Sequence, residues 1–483
     1  MTIYYVSKNG NDSATGKSVL SAWASIDRVN SHTFSPSDKI LFEGGSTFTG
    51  NIYIPVSGIT LGSYGGSRAV IQAGDSYGVL VYNVGNWTIT NLEFVGSENN
   101  ADAGVQIFND TGEEVVGIIV NQVKCTGFYL GIAIGGDVYR KVRLTRCVAN
   151  NNVGGGIWLY GPTDRRIHSD VIFSLCEAYD NPGTIGDNAW ASGFGIAIYS
   201  ANKATITGCL AHDNGRDSNG TVGIYFAYSD NCKVQKCEVY KTFDKSGNDG
   251  DGISLDEGTS NSFIQYCYTH DNDGCGLMVS SGDEFVPNDN NTVRFNISEN
   301  DGRVNWQGMG IFGKAANTKF YNNTIYFSAT ANQLGNSAAC GFSPGWEGDN
   351  LFVANNIFLV EGDIPLVTGE SSNKVTFLNN CYFSSTKFTI FYNSVEYHDL
   401  SSWQNVQEDN NGSKLGLDSD PFLTNVGSGG TIGKVGQISK LQAYRLEPYS
   451  PCLGRDLDLS QFGINKGTSN FFGFIGTKNI GAS

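Results

Sequence analysis

The apolar positions of this chain fall into short alternating pairs, and a glycine opens each pair. Gly78-Val-Leu-Val, Gly104-Val-Gln-Ile, Gly131-Ile-Ala-Ile, Gly156-Ile-Trp-Leu and Gly195-Ile-Ala-Ile are followed by Gly223-Ile-Tyr-Phe, Gly252-Ile-Ser-Leu, Gly276-Leu-Met-Val and Gly310-Ile-Phe-Gly, with Gly341-Phe-Ser-Pro as a degraded copy. Alternation with period two predicts a strand with one face inward. The glycines lie 26, 27, 25, 39, 28, 29, 24, 34 and 31 residues apart. That spacing is in the range of solenoid repeats, and its variability predicts insertions in loops.

A second short strand follows each glycine strand and ends in a fixed slot. The slot holds Cys147, Cys176, Cys209, Cys237 and Cys267, then Asn296, Asn323, Asn355 and Asn380. Stacked thiols giving way to stacked amides need neither disulfides nor a metal, because amides about 4.8 Å apart can bond along a stack of parallel strands. A third strand and a polar turn complete the repeat, as in Leu210-Ala-His-Asp-Asn214 and Tyr268-Thr-His-Asp-Asn272. Three strands per repeat predict an all-β fold, a single-stranded right-handed parallel β-helix of about 12 coils. We expect an N-terminal cap over 1–38, the β-helix over 39–384, and a C-terminal cap and tail over 385–483. Trp23, Ile26 and Val29 at helical spacing suggest a capping helix within Leu20 to Asn30, with Ser21 as N-cap, and Leu400 to Val406 suggests another.

Composition agrees. The 483 residues include 62 Gly, only 10 Pro and 3 Met, so many tight turns are expected and helix bundles are excluded. With 31 basic and 47 acidic residues the net charge is −16, a poor match to a nucleic-acid backbone or an anionic membrane. No apolar run approaches the roughly 18 residues needed to span a bilayer. The 11 cysteines include no C-x-x-C pair that would suggest zinc or a redox motif. Gly308-Met-Gly310-Ile-Phe-Gly313 matches G-x-G-x-x-G, but no helix is expected after it, so it reads as a repeat strand.

The opening Tyr4-Tyr5-Val6-Ser7-Lys8-Asn9-Gly10-Asn11-Asp12, then Ala22-Trp23-Ala24-Ser25-Ile26 and Leu41-Phe42-Glu43-Gly44-Gly45, resembles bacterial β-helix proteins of the pectin-lyase-like superfamily. The ending, Ser450-Pro451-Cys452 through Phe474-Ile475-Gly476, is similar to their closing cap. The resemblance implies a carbohydrate-active protein outside the cell, its leader removed. It leaves the activity open, because the superfamily contains hydrolases, lyases, epimerases and phage tailspikes. The R-x-P-x-x-R, N-T-D, R-I-K and D-P-H patterns of its particular activities are missing here.

Residues two and four after each glycine should face outward. Among them Trp158, Tyr160, Tyr199, Tyr225 and Phe312, with Lys314, form a candidate sugar-binding stripe, to which Tyr240 of the third strand adds a ring. Within the stripe lies an acidic segment, Asn248 to Glu257. Glycosidic hydrolysis needs a carboxylic acid and a carboxylate. Asp251 and Asp256 are the preferred pair, with Asp249 and Glu257 beside them, Asp256 as acid and Asp251 as the more solvated base. The same acids could serve calcium, with Asp249, Asp251, Asp271 and Asp273 as ligands, or merely turn chemistry. No cofactor is otherwise required.

A second column, Tyr179, His212, Tyr240, His270 and Glu299, is open to an acid/base role or to a structural one, and Lys241 follows in the next slot. The leading reading is a secreted polysaccharide hydrolase. The alternatives are a lyase using Lys241, His212, His270 or Tyr240 as base, and a non-catalytic glycan-binding fibre. The expected partner is a polysaccharide or oligosaccharide, with neither nucleic acid nor membrane.

Overall fold

The computed structural model describes all residues except 185–191, 283–285, 287, 306, 331–336, 343–348, 371–374 and 468. It comprises two compact units, Met1–Ser218 and Asn219–Ser483. In the first, Val115–Asn121, Lys124–Thr126 and Leu130–Gly136 make one coil, and Tyr139–Thr145, Val148–Asn150 and Gly155–Tyr160 the next. Each strand pairs in parallel with its counterpart: Ile118 with Val142, Cys125 with Ala149, Ile132 with Ile157. The second unit repeats the plan. Asp251–Leu255, Phe263–Gln265 and Tyr268–His270 are followed by Leu277–Ser281, Thr292–Arg294 and Ile297–Glu299. Ile253 lies beside Leu277, Ile264 beside Val293 and Tyr268 beside Ile297. The fold is therefore the expected all-β parallel β-helix.

Alternation places the core as anticipated. Ile157, Leu159, Ile253 and Leu255, one and three residues after their glycines, are fully buried. All eleven cysteines are free and buried. Where the column turns to amides, Cys267 N–H donates to Asn296 Oδ1 at 2.9 Å and Asn296 Nδ2 donates to Asn323 Oδ1 at 3.0 Å. The next rung is Asn356, not Asn355: Asn323 Nδ2 donates to Asn356 Oδ1 at 3.0 Å, and Asn356 in turn to Asn380. Asn355 instead occupies the left-handed region (φ 54°) and grips Leu457 of the tail through its amide.

Two helices are shorter than the apolar spacing suggested. The first is Ile26–Asn30, capped by Ser25 and not by Ser21. Trp23 belongs to an extended segment, its N–H bonded to Tyr5 O and its O to Ser7 N–H, which leaves Leu20 outside. Asp12 fixes the turn by accepting from Ala24 and Ser25 N–H at 2.7 and 3.0 Å. The second is Leu400–Trp403, capped by Asp399.

The C-terminal segment packs against the coils of the second unit. Its Ile438, Leu441, Tyr444, Cys452 and Ile480 pack with Tyr268, Ile297, Tyr326, Ile357 and Cys381 in one buried cluster. The reason lies in the first slot of the third strand. In the second unit that slot runs Tyr268, Ile297, Thr324, Ile357, Cys381, mostly apolar residues on an outer face that must be covered.

Candidate active site

In the second unit, strand Asp251–Leu255 lies between Val222–Ala227 and Leu277–Ser281. Ile253 and Leu255 anchor it in the core, so Ser254 and Asp256 turn to the other face. Asp256 N–H donates to Phe226 O at 2.7 Å, which fixes the residue at the strand end. Its carboxyl is half-buried and accepts a hydrogen bond from Ser280. Burial first, then the charges of Asp249 and Glu257, push its pKa up to about 7. Asp249 is half-buried too, and burial with the neighbouring Asp244 pushes it up to about 6. Glu257 is oriented by Tyr228, whose hydroxyl donates to its Oε2 at 2.7 Å.

Asp251 does not have the environment expected of it. It is 2% exposed, and its Oδ1 accepts from Cys275 N–H at 2.6 Å. Burial, reinforced by Asp249, drives its pKa well above the carboxylate range. Sharing the inward parity of Ile253 and Leu255, it ties two coils together at the corner. It is not the solvated base that its flanking glycines suggested.

Three neighbours of the acids stood outside the sequence reading as functional groups. Asp244 gathers the turn, accepting from Gly220 N–H at 2.7 Å and Asn248 N–H at 2.9 Å. Ser254 is 1% exposed with a hydroxyl that lacks a partner among the described residues. Ser280 carried a readable signal, since it lies four residues after Gly276 as Asp256 does after Gly252.

Of the four acids read as calcium ligands, Asp273 packs beside Gly250, which lies between Asp249 and Asp251. Asp271 bonds the imidazole of His270, and Asp273 accepts weakly from Asp244 N–H at 3.4 Å. Among the described residues no group of three or more His, Cys, Asp or Glu is arranged to hold a metal ion.

The aromatic residues divide as well. In the first unit, Trp158 packs with Tyr160, Phe194 and Tyr199 at centroid distances of 4.7, 5.8 and 5.5 Å. Trp158, Tyr160 and Tyr199 are half-buried, and Tyr160 lies over Gly135, where a Cβ would come within 2.2 Å of its ring. In the second unit Phe312 is exposed and Lys314 half-buried, but Tyr225 is 2% exposed and so lies inside the packed face instead of on it.

The His–Tyr column is closed in the second unit. His270 is 1% exposed, stacked between Tyr240 at 4.7 Å and Tyr268 at 4.6 Å. Its Nδ1 meets Asp271 at 2.9 Å and its Nε2 meets Glu238 at 3.4 Å. Glu238 also accepts from Ile432 and Gly433 N–H of the tail, at 2.7 and 2.9 Å. Burial alone would lower the His270 pKa, but the two carboxylates carry it up to about 9. Tyr240 is 7% exposed under the same segment. In the first unit His212 repeats the arrangement with Asp213 at 2.8 Å and Glu177 at 3.3 Å, stacks on Tyr179 at 5.0 Å, and also rises to about 9. Both histidines are cations at neutral pH and cannot accept a proton there. Lys241 is exposed in the left-handed turn that follows Tyr240 (φ 50°).

Comparison with known proteins bears on the fold. No curated protein matches the chain. A lacto-N-biosidase of Eubacterium ramulus, assigned to GH136, has a similar structure, with 16% identity over 73% of this chain and 68% of that one and a TM-score of 0.53. XylC solved with xylose matches over 100% of this chain and 98% of its own at 10% identity, TM-score 0.54. The A-module of an Azotobacter vinelandii mannuronan C-5 epimerase matches over 70% and 88% at 14% identity, TM-score 0.50. Residues 168–325 match the family model described as "Right handed beta helix region", and the fold of this chain is a right-handed parallel β-helix.

Proposed function

We propose that the chain is a glycoside hydrolase acting on a polysaccharide or oligosaccharide, with Asp256 as general acid and Asp249 as the carboxylate that activates water. The observation that carries this reading is a cluster of neighbouring acids in which burial and like charge raise both Asp256, to about 7, and Asp249, to about 6. Carboxyls raised toward neutrality by burial and like charge can hold a proton for the leaving oxygen and, once ionised, accept one from water. Tyr228 and Ser280 then act as positioning residues for Glu257 and Asp256. The solved hydrolase of similar fold is consistent with this chemistry, and an extracellular location belongs to the same proposal.

Elimination needs a base of another kind. The two histidines considered for it are held as imidazolium by flanking acids, which favours hydrolysis.

The experiment is digestion of a glycan library with mass detection. Hydrolysis releases products heavier by one water, with new reducing ends and no unsaturated chromophore. A chromophore overturns the reading in favour of a lyase, and binding without cleavage in favour of a glycan-binding fibre.

A further inference from the structure

The cysteines form two geometric classes. Cys147, Cys176 and Cys209 occupy one slot of successive coils. In-register parallel strands hold neighbouring Cα–Cβ bonds side by side about 4.8 Å apart, beyond the roughly 3.5–4.5 Å that a disulfide needs between Cβ atoms. Cys381 and Cys452 are related differently. Cys381 opens strand Cys381–Ser384 of the β-helix, whereas Cys452 lies in the tail that packs onto it. Both are fully buried in one cluster, and the Cys452 thiol is near enough to raise the Cys381 thiol more than burial does, whereas burial leads at Cys147 and Cys176. Cys452 is held from both sides: its N–H donates to Ser450 Oγ at 3.1 Å and its O accepts from Ile480 N–H at 3.0 Å. Cys381 bridges to Leu417, and its thiol points to Ser419 O at 3.4 Å. The tail thus presents one thiol to the other across a packed interface, free of the parallel constraint of the coil stack.

We propose that Cys381 and Cys452 are a modification site, forming a disulfide that staples the C-terminal segment to the β-helix when the chain folds in the presence of a disulfide oxidant such as oxidised glutathione. One protein thiolate attacks a sulfur of oxidised glutathione and expels the first glutathione thiolate. The second protein thiolate attacks the mixed disulfide and expels the other. Two protein thiols are oxidised, one glutathione disulfide is reduced, and the two protein protons end on two molecules of glutathione. Burial shields both sulfurs once the tail is docked, so exchange belongs to folding, before the interface closes.

The test is to refold the full chain in a glutathione redox buffer, and separately in dithiothreitol. Each sample is then denatured, alkylated with N-ethylmaleimide and digested for mass spectrometry. Of the 11 cysteines, the oxidised sample should carry 11 − 2 = 9 labels together with a cross-linked peptide pair containing Cys381 and Cys452, and the reduced sample 11 labels. Eleven labels in both samples overturn the proposal, as does a cross-link confined to Cys147, Cys176 or Cys209. The readout uses the unmodified sequence, so it does not depend on a variant folding. A Cys452→Ala chain that folds should show 10 labels in both buffers, one fewer cysteine being present (11 − 1).

Discussion

On the third-strand face of the second unit, Glu238 and Asp271 hold the His270 imidazolium between them, and Glu238 also takes two backbone donors from the tail. On the glycine-strand face of the same unit, Asp256 meets the charges of Asp249 and Glu257, both acids. The first arrangement is compensated. Glu238 is buried but faces a cation and two backbone donors, Asp271 is partly exposed, and the imidazole between them is locked. The second is uncompensated, so the carboxyls are raised toward neutrality, the condition the proposed proton donor needs. Ionisable residues on a β-helix therefore carry opposite meanings according to their partners, even a strand apart on the same coil.

The sharpest way to break this comparison is to neutralise the uncompensated face. Asp256→Asn and Asp249→Asn should each lower turnover by about two to four orders of magnitude, with thermal stability retained, as read by reducing-end release and a melting curve. Normal turnover in both variants would remove the hydrolase assignment. Asp251→Asn should behave differently, because its carboxyl holds Cys275 N–H at the corner between coils. Its main effect should be on the melting temperature.

The pH profile should follow the same logic. On the proposed mechanism activity requires Asp256 protonated and Asp249 ionised, so it should fall as pH rises through about 7 and as it drops below about 6. A bell with those limbs in kcat against pH is the expected result. Asp256→Asn should abolish the alkaline limb in whatever activity remains.

The compensated face is tested by stability. Removing the imidazole in His270→Ala strands the buried Glu238 under the tail and should cost about 3–5 kcal/mol in denaturant unfolding, with turnover per folded molecule unchanged. The sign in pH follows from the raised pKa. Folded His270 titrates at about 9 against an ordinary 6.5, so its contribution is complete below about 6.5 and is lost as pH rises through about 9. Unfolding of the unmodified protein measured from pH 6 to 10 should weaken over that interval, and the His270→Ala chain should weaken less.

Much of this was legible in the residues. The glycine-led pairs gave the coil, the inward positions and the thiol-to-amide column, because a period-two pattern repeated over many coils admits a single register. The acidic strand was also legible, since its spacing alone brings Asp249, Asp251 and Asp256 together. Asp251 was misjudged because the parity of Ile253 and Leu255 continues through it to the corner, and flanking glycines masked that continuity. The covering of His270 was missed although its signal was present. Tyr268, Ile297 and Ile357 place apolar side chains on an outer face, and only a chain segment more than a hundred residues away from His270 supplies their cover. Periodicity reports neighbours one coil away and is silent about such distant returns.

The smallest effect sharpens the comparison within the compensated class. His212 has the same partners as His270, a following aspartate and a glutamate one coil earlier, but its side chain is 15% exposed against 1% for His270. Glu177 is 30% exposed where Glu238 is 4% exposed. Water can solvate the acids that His212→Ala would leave behind, so the desolvation term that dominates at His270 is largely absent. The His212→Ala chain should lose about 1 kcal/mol, within the range of half-exposed ion pairs, and that loss should shrink in high salt. Salt should alter the His270→Ala loss less, because Glu238 lies beyond the reach of mobile ions even though Asp271 is 42% exposed. Equal losses at the two positions, or equal salt dependence, would show that the tail contributes nothing to the imidazolium it covers.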